Sequence, residues 1–421
     1  MAVKGRLSRG VALVGAGMSK FGSFASKSSR DLFVEAFNDM RRSVDKGLDP
    51  KEIQSLYVGN FSSDLFEGQG HIAPIAASWA GLVPVAATRV ENACASGGAA
   101  LRQGIIAVAS GLYDVVLVGG VEKMTALPTE RVTDTLAAAA DAIYEAPAGF
   151  TFPGLFAAMA TVYMDRYGAT PEDFMRVGIK NHENGALNPK AQFNSTLRAV
   201  MQGRVLRAQQ KGLPMPTWRD EMDFLHDDSA NPIVAWPMRL FDCSPISDGA
   251  ACVLLVAEEL APRFTERPLL ARGIGQASDH GLSERADMAS LSSARHAAQQ
   301  AYEMAGVKPE DVRIAEVHDC FTIAELIAAE DIGFFPRGHA AAASNEGQTR
   351  RTGPRPINTS GGLKSKGHPV GASGVAQVVE VWLQMHGQAG DRQVPGDIPL
   401  ALTHNVGGTG ATCVVHIWER K

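Results

Sequence analysis

Cysteine is scarce in this chain: Cys94, Cys243, Cys252, Cys320 and Cys413 are the only five among 421 residues, and no C-x-x-C pair occurs. A scattered, odd-numbered set excludes a disulfide framework and the usual spacing of a structural zinc site. It fits reduced thiols, so a cytoplasmic location is expected. No uninterrupted apolar run reaches the roughly 18 residues needed to span a bilayer. Val11 to Gly17 is too short and too glycine-rich for the apolar core of a signal peptide. Charge of one sign is missing as well: 40 Lys and Arg against 45 Asp and Glu leave a net charge of -5. That balance excludes whole-molecule attraction to nucleic acid or an anionic membrane, though not a local basic groove for phosphates. What remains is an ordinary globular composition, 45% hydrophobic and 20% charged. The length calls for two or three domains, or one duplicated domain carrying an insertion.

The chain repeats itself. Val11-Ala12-Leu13-Val14-Gly15 and Leu269-Leu270-Ala271-Arg272-Gly273-Ile274-Gly275 are two apolar strands ending in glycine. Each precedes a helix-like stretch, residues 30–46 and 289–305, with apolar residues at three- and four-residue spacing. Leu48-Asp49-Pro50-Lys51-Glu52-Ile53 then matches Val307-Lys308-Pro309-Glu310-Asp311-Val312, and both lead into strands. Ala95-Ser96-Gly97 and Ala372-Ser373-Gly374 each open a helix before another apolar strand. Two copies of one β-α-β-α-β pattern in the same order predict an α/β fold. The boundaries are 1–121 with 241–265 for the first half, 122–240 for an inserted, mostly helical cap, and 266–421 for the second half. Within the cap, residues 181–193 and 219–233 read as polar loops. In the second half, residues 338–353 read as a Gly/Ala/Arg-rich surface loop.

Four segments could carry chemistry. Cys94 lies between a strand and a helix beginning near Ala95, where unpaired backbone N–H groups favour a thiolate and lower the thiol pKa. Taken alone, it reads equally as a buried structural cysteine. Gly367-His368-Pro369 occupies the corresponding place in the second copy; packing the halves with pseudo-twofold symmetry brings His368 to Cys94, as thiolate catalysis needs. Val317-His318-Asp319-Cys320-Phe321 follows a strand end, where α/β folds place their sites. Metal binding is the other reading of that motif, but adjacent residues cannot easily chelate one ion, and no metal is expected. Thr403-His404-Asn405-Val406-Gly407-Gly408-Thr409-Gly410 is a glycine turn whose backbone N–H groups could hold an oxyanion, with His404 as a polar filler in the plainer reading.

Together these segments resemble the thiolase superfamily over essentially the whole chain. Ser247-Asp248-Gly249-Ala250 is similar to the segment that returns from the cap, and His182-Glu183-Asn184 with Asn188-Pro189 to a recurrent cap motif. His318-Asp319-Cys320-Phe321 stands where ordinary thiolases carry Asn-Glu-Ala-Phe, and His404 where they carry a second cysteine. That combination resembles the sterol-carrier-protein-2 type of thiolase and its bacterial and archaeal relatives. The resemblance implies a duplicated fold with a five-layered α-β-α-β-α core and an inserted helical cap.

It further implies a reaction. His368 would deprotonate Cys94, whose thiolate attacks the 3-keto carbon of a 3-oxoacyl-CoA, and Cys320 would protonate the departing enolate or, in synthesis, remove that proton. His318 and His368 would hold the enolate oxygen, with backbone N–H groups of Cys94 and of Val406-Gly407 on the other oxygen. Coenzyme A would be a co-substrate, with no permanently bound cofactor. Its contacts would come from Ser247 and from Arg204, Arg207, Lys211 and Arg219 in the cap. The acyl group could be branched or aromatic, as in benzoylsuccinyl-CoA, and acetoacetyl-CoA stands equally open. The implied assembly is a homodimer through the first core sheet, with a small zinc-containing OB-fold protein as a further partner in such relatives. The alternatives are a decarboxylating ketoacyl synthase, a tyrosine-dependent retro-aldolase, or a non-catalytic CoA-thioester-binding subunit.

Overall fold

The first repeat runs β1 (Val11–Met18), α1 (Ser29–Ser43), β2 (Ser55–Gly59), the short α2 (Ser63–Glu67) and α3 (Ile72–Trp79), β3 (Ala86–Val90), α4 (Ser96–Ala109) and β4 (Val115–Glu122). These elements come from a computed structural model that describes residues 5–421, so the first four residues of the first segment lie outside it. Local chemistry sets the elements. Ser28 and Asp31 form a capping box at the start of α1, which buries Leu32, Phe33, Ala36, Phe37 and Met40 as one stripe. β1 and β4 are buried along their whole length, as strands covered on both faces must be.

The cap follows as α5 (Thr129–Ala137), α6 (Phe152–Tyr167), α7 (Pro171–Ala186), α8 (Leu197–Gln210), α9 (Glu221–His226) and a small hairpin of β5 (Ile233–Ala235) and β6 (Met238–Arg239). The chain then returns to the first sheet as β7 (Gly249–Ala257). The second repeat is β8 (Leu269–Ser278), α10 (Ser292–Ala305), β9 (Ile314–Glu316), α11 (Thr322–Asp331), α12 (Ala340–Asn345), α13 (Gly362–Lys366), α14 (Ser373–Met385), β10 (Leu400–Gly407) and β11 (Thr412–Arg420).

The strand order is β3-β2-β4-β7-β1-β8-β11-β10-β9. Read outward from the middle, β1-β7-β4-β2-β3 repeats as β8-β11-β10-β9, and a parallel bridge from Ala315 to Ile357 takes the place of the fifth strand. The half-sheets pair where Ala12 and Leu13 meet Leu270 and Leu269. Between them lie α4 and α14, whose Leu101, Ile105, Val375, Val379 and Trp382 share one core with both half-sheets. Separate cores cover the outer faces, one with α1 and α3, the other with α10, α11 and α6. The layers therefore alternate α-β-α-β-α.

Three expectations change. Residues 338–353 are not a surface loop: they include α12, with Ala340, Ala341, Ala343, Ser344 and Thr349 buried. Residues 181–186 complete α7, and 221–226 form α9, inside stretches read as loops. The polar residues that suggested a loop are buried partners: Asn181 donates to Asp319 (2.7 Å) and Glu325 (2.8 Å), and Asn184 to the carbonyl of Asn358 (3.0 Å).

The cap is anchored at its base by Asp248. Its carboxylate accepts from the N–H groups of Phe24 (3.1 Å), Met124 and Thr125 (both 2.8 Å), the Thr125 hydroxyl (2.6 Å) and the buried Lys123 ammonium (2.5 Å). Asp248→Ala leaves that ammonium buried without its partner. It should destabilise the protein by about 3–5 kcal/mol, read as a shift in the denaturant midpoint.

Candidate active site

Two turns of matching design face each other at the centre. In the first, Ala93 adopts φ 48°, a conformation costly for a residue with a side chain, just before Cys94 and α4. Ser96 braces this turn, accepting from the Asn92 N–H (2.8 Å) and donating to the Ala93 carbonyl (2.6 Å). In the second copy Ser373 does related work. Its hydroxyl donates to the Pro369 carbonyl (2.9 Å) and so receives the Nδ1 proton of His368 (2.7 Å). That fixes the His368 tautomer: Nδ1 carries the hydrogen, and Nε2 keeps a lone pair. Glu122 ties the second turn to the segment after β2, accepting from the N–H groups of Phe61 (2.8 Å), Ser62 (3.1 Å) and Gly371 (3.0 Å).

The donor atoms of Cys94, His318 and His368 lie within 4.8 Å of one another. The two imidazoles meet edge to face, with centroids 5.0 Å apart. His318 has the opposite tautomer to His368. Asn405 accepts from the Gly98 N–H (3.0 Å), which turns its amide nitrogen toward the Cys94 carbonyl (3.0 Å) and His318 Nδ1 (3.1 Å). Nδ1 of His318 is thus an acceptor, its proton sits on Nε2, and that Nε2 has no partner among the described residues. One histidine offers a lone pair and the other a hydrogen. Three such donors could surround a metal ion by distance alone, but a ligand must present a lone pair, and Asn405 holds a proton where His318 would need one.

Burial sets the charge state. It pushes the Cys94 thiol up to about 12, against a smaller opposing pull from the Gly408 N–H. His368 is driven down to about 3 by burial and, secondarily, by Lys366. His318 is held well below the ordinary imidazole range by burial and then by the neighbouring His368 and His404. The depressed thiol pKa expected from the helix N-terminus is therefore not met, because desolvation of the anion outweighs the helix field. At rest the pair is a neutral thiol and a neutral imidazole.

Cys94, Cys320, His368 and Gly408 line one cavity of about 320 Å³, and most of its remaining wall is apolar: Met124, Leu136, Phe152, Val234, Ile246, Phe321 and Val370 among others. Cys320 is raised well above the usual thiol range by burial and then by Cys94. His404 is placed differently from a cavity residue, since its Nδ1 accepts from the backbone N–H of His318 (3.3 Å) and supports that histidine from behind. The backbone N–H groups facing the sulfur are those of Gly408 and of Cys94 itself, whereas Val406 and Gly407 lie within β10, in register with Cys413 and Thr412. Ser247 is fully buried behind the histidine loop, where its hydroxyl accepts from the His368 N–H (2.9 Å) and contacts Gln192 (2.5 Å). Arg204 is committed to packing over Phe224 and Phe241 and donates to the Ala230 carbonyl (2.8 Å). Arg219 pairs with Asp223 (2.6 Å), and Arg207 and Lys211 stand on the outer side of α8 and just beyond it. None of these four cations lines the cavity. Asn405 is the site residue that sequence reasoning missed; its signal was an amide beside the glycine turn, indistinguishable in sequence from turn chemistry.

A cavity lined by three thiols, Cys94, Cys243 and Cys320, and by an unprotonated imidazole nitrogen, seated between two halves of a duplicated α/β core, defines a thiol-dependent acyltransferase. The sequence matches the thiolase N-terminal domain over residues 11–259 and a thiolase C-terminal domain-like family over residues 275–420. The chain belongs to the thiolase family. It is 43% identical to an acetyl-CoA acetyltransferase of Methanothermobacter thermautotrophicus, over 98% of this chain and 100% of that one. It is 31% identical to the benzoylsuccinyl-CoA thiolase subunit BbsB of Thauera aromatica, over 96% of each. Human sterol carrier protein 2 is 30% identical over 96% of this chain and 71% of its own length. Among solved structures, the Ltp2-ChsH2(DUF35) aldolase shares the fold with a TM-score of 0.77 at 24% identity, each chain covered over 97%.

The neutral resting state has a measurable consequence. Alkylation of Cys94 by iodoacetamide, followed by peptide mass spectrometry, should accelerate about tenfold per pH unit from neutral into mildly alkaline solution, since only the thiolate reacts. A rate already at its plateau near neutrality would contradict a thiol held protonated by burial.

Proposed function

We propose that this protein cleaves 3-oxoacyl-CoA thioesters with coenzyme A, or runs the reverse Claisen condensation, through an acyl-Cys94 intermediate. The observation that carries this reading is the convergence of the Cys94 sulfur with nitrogens of His318 and His368, where Cys94 and His368 line the cavity that also holds Cys320. His368 Nε2 takes the Cys94 proton as the sulfur attacks the 3-keto carbon. The bond between the second and third carbons then breaks, and its electron pair becomes the enolate of the departing thioester. The Nε2–H of His318 bonds to that enolate oxygen, and Cys320 delivers a proton to the second carbon. The Gly408 N–H is the donor best placed for the oxygen on the carbon attacked by Cys94. Coenzyme A then releases the acyl group from sulfur, and its thiol proton restores Cys320. Cys320 suits the transfer because a thiol is closer in pKa to the carbon acid than a carboxylate is.

The aldolase alternative is disfavoured because no tyrosine lines the cavity. A ketoacyl synthase would leave Cys320 without a role. For the acyl group we favour a bulky apolar chain or ring over the methyl ketone of acetoacetyl-CoA. The cavity beside Cys94 is walled by Met124, Leu136, Phe152, Ile246, Phe321 and Val370, and the Thauera relative is named for an aromatic thioester. Ser247, Arg207 and Lys211 remain the proposed contacts on the coenzyme A side, Ser247 through the loop it supports. β3 ends the sheet with a partly exposed edge, the surface through which two copies would pair as a homodimer. A small zinc-containing OB-fold protein is a proposed second partner, and five free cysteines fit a cytoplasmic setting.

Cys94→Ala should abolish thiolysis and acyl labelling together. Cys320→Ala should stop carbon–carbon chemistry yet retain acylation of Cys94 by a simple acyl-CoA, seen as an added mass on the intact protein. A Cys94→Ala enzyme that still cleaves substrate would overturn the assignment. A thiolysis screen across acetoacetyl-CoA and longer, branched and aromatic 3-oxoacyl-CoA thioesters tests the acyl preference, with acetoacetyl-CoA as the best substrate being the result against it.

A further inference from the structure

We propose that Asn405 is a positioning residue that makes His318 a hydrogen-bond donor, and that it thereby serves the carbon–carbon step and not the acylation of Cys94. The inference rests on the thiolase reading above and deepens it. Asn405 sits at the seam of the two halves, between the N-termini of α4 and α14. Its amide oxygen receives the Gly98 N–H (3.0 Å), and a Cβ on Gly98 would come within 2.9 Å of that oxygen. Gly374 packs against the same oxygen from the other helix, so the amide is held from both sides.

Its orientation is not free. Exchanging the amide oxygen and nitrogen would set oxygen against the Cys94 carbonyl and an N–H against the Gly98 N–H, two repulsive contacts in place of two hydrogen bonds. The nitrogen must therefore face His318 Nδ1, 3.1 Å away. A neutral imidazole that accepts at Nδ1 has its single hydrogen on Nε2, and Nε2 of His318 is buried with no partner among the described residues. An unmet N–H at that place is a preorganised donor for an oxygen that gains charge during the reaction. Without the Asn405 amide, His318 could move its hydrogen to Nδ1 and present a lone pair to the enolate oxygen, which repels it. Acylation of Cys94 draws on the base His368 and on backbone N–H groups, neither of which Asn405 orients through His318.

Asn405→Asp tests this because it keeps an acceptor for the Gly98 N–H and replaces with an acceptor the nitrogen that donates both to His318 and to the Cys94 carbonyl. Condensation and thiolysis turnover should fall by on the order of a hundredfold or more. Exchange of an acyl group between Cys94 and labelled CoA should fall far less. Equal loss of both steps, or no loss of either, overturns the proposal. Nitrogen-15 NMR of histidine-labelled wild-type protein gives a second reading that needs no variant: His318 should carry its hydrogen on Nε2, and a hydrogen on Nδ1 refutes the assignment even if Asn405→Asp does not fold. Failure of wild-type protein to acylate Cys94 at all would instead sink the thiolase reading, and the tautomer result would stand apart from it.

Discussion

The close approach of α4 and α14 is the constraint on which the site depends. A Cβ on Gly97 would come within 2.8 Å of the Gly371 carbonyl and 3.1 Å of the Gly374 N–H, so only hydrogen side chains let the helix starts meet. Because both helices begin at that seam, the loops that lead into them are forced together, one delivering Cys94 and the other His368. Duplication makes the meeting a consequence of symmetry: each copy contributes the same loop, and divergence at one position per copy separates nucleophile from base. The two serines of the repeated Ala-Ser-Gly keep their task of bracing the turn, while Ser373 has acquired the further one of holding an imidazole in place.

The repeat made the fold legible in the sequence because apolar strands and paired turn motifs recur in one order, and such local signals survive without tertiary context. The meeting of the Cys94 and His368 loops was legible for the same reason, whereas the His318-Asp319-Cys320 corner was read from its place past a strand end and from the family resemblance. What escaped was whatever tertiary packing decides. Residues 181–186 look like a polar loop until Asn181 and Asn184 find buried acceptors on the second half. The Cys94 thiol is raised, not lowered, because sequence reveals a helix start but not the depth at which it is buried. Arg204 looked like a phosphate ligand, and only the fold shows that two phenylalanine rings already occupy it.

Charge is arranged around the cavity and kept off its walls. Lys180 pairs with Glu325 at 2.9 Å, and Asn181 and Asn358 each donate to the other Glu325 oxygen at 2.8 Å, while Asp319 receives the Leu363 N–H at 2.6 Å. This buried cluster lies directly behind the His318-Asp319-Cys320 corner and joins the cap to the second half. Buried ion pairs add little net stability, but removing one partner is costly, so such a cluster tolerates few geometries. Its value here is rigidity: the corner that carries a donor and a thiol is fixed from behind, and the reacting face is left free for substrate.

That separation explains why the site can rest neutral and still react. A thiolate–imidazolium pair in a dry pocket would have to repay the desolvation of two ions before substrate arrived, and burial displaces both pKa values against it. A neutral thiol next to a neutral base carries no such cost. Charge then appears only as the sulfur bonds to carbon, when the developing oxyanion has N–H donors already in place. The opposite tautomers of His318 and His368 are what permit this, for a single imidazole type could supply either the lone pair or the hydrogen but not both at one carbon. Holding two identical side chains in different protonation patterns requires different neighbours, and the structure provides them as a serine hydroxyl on one side and an asparagine amide on the other.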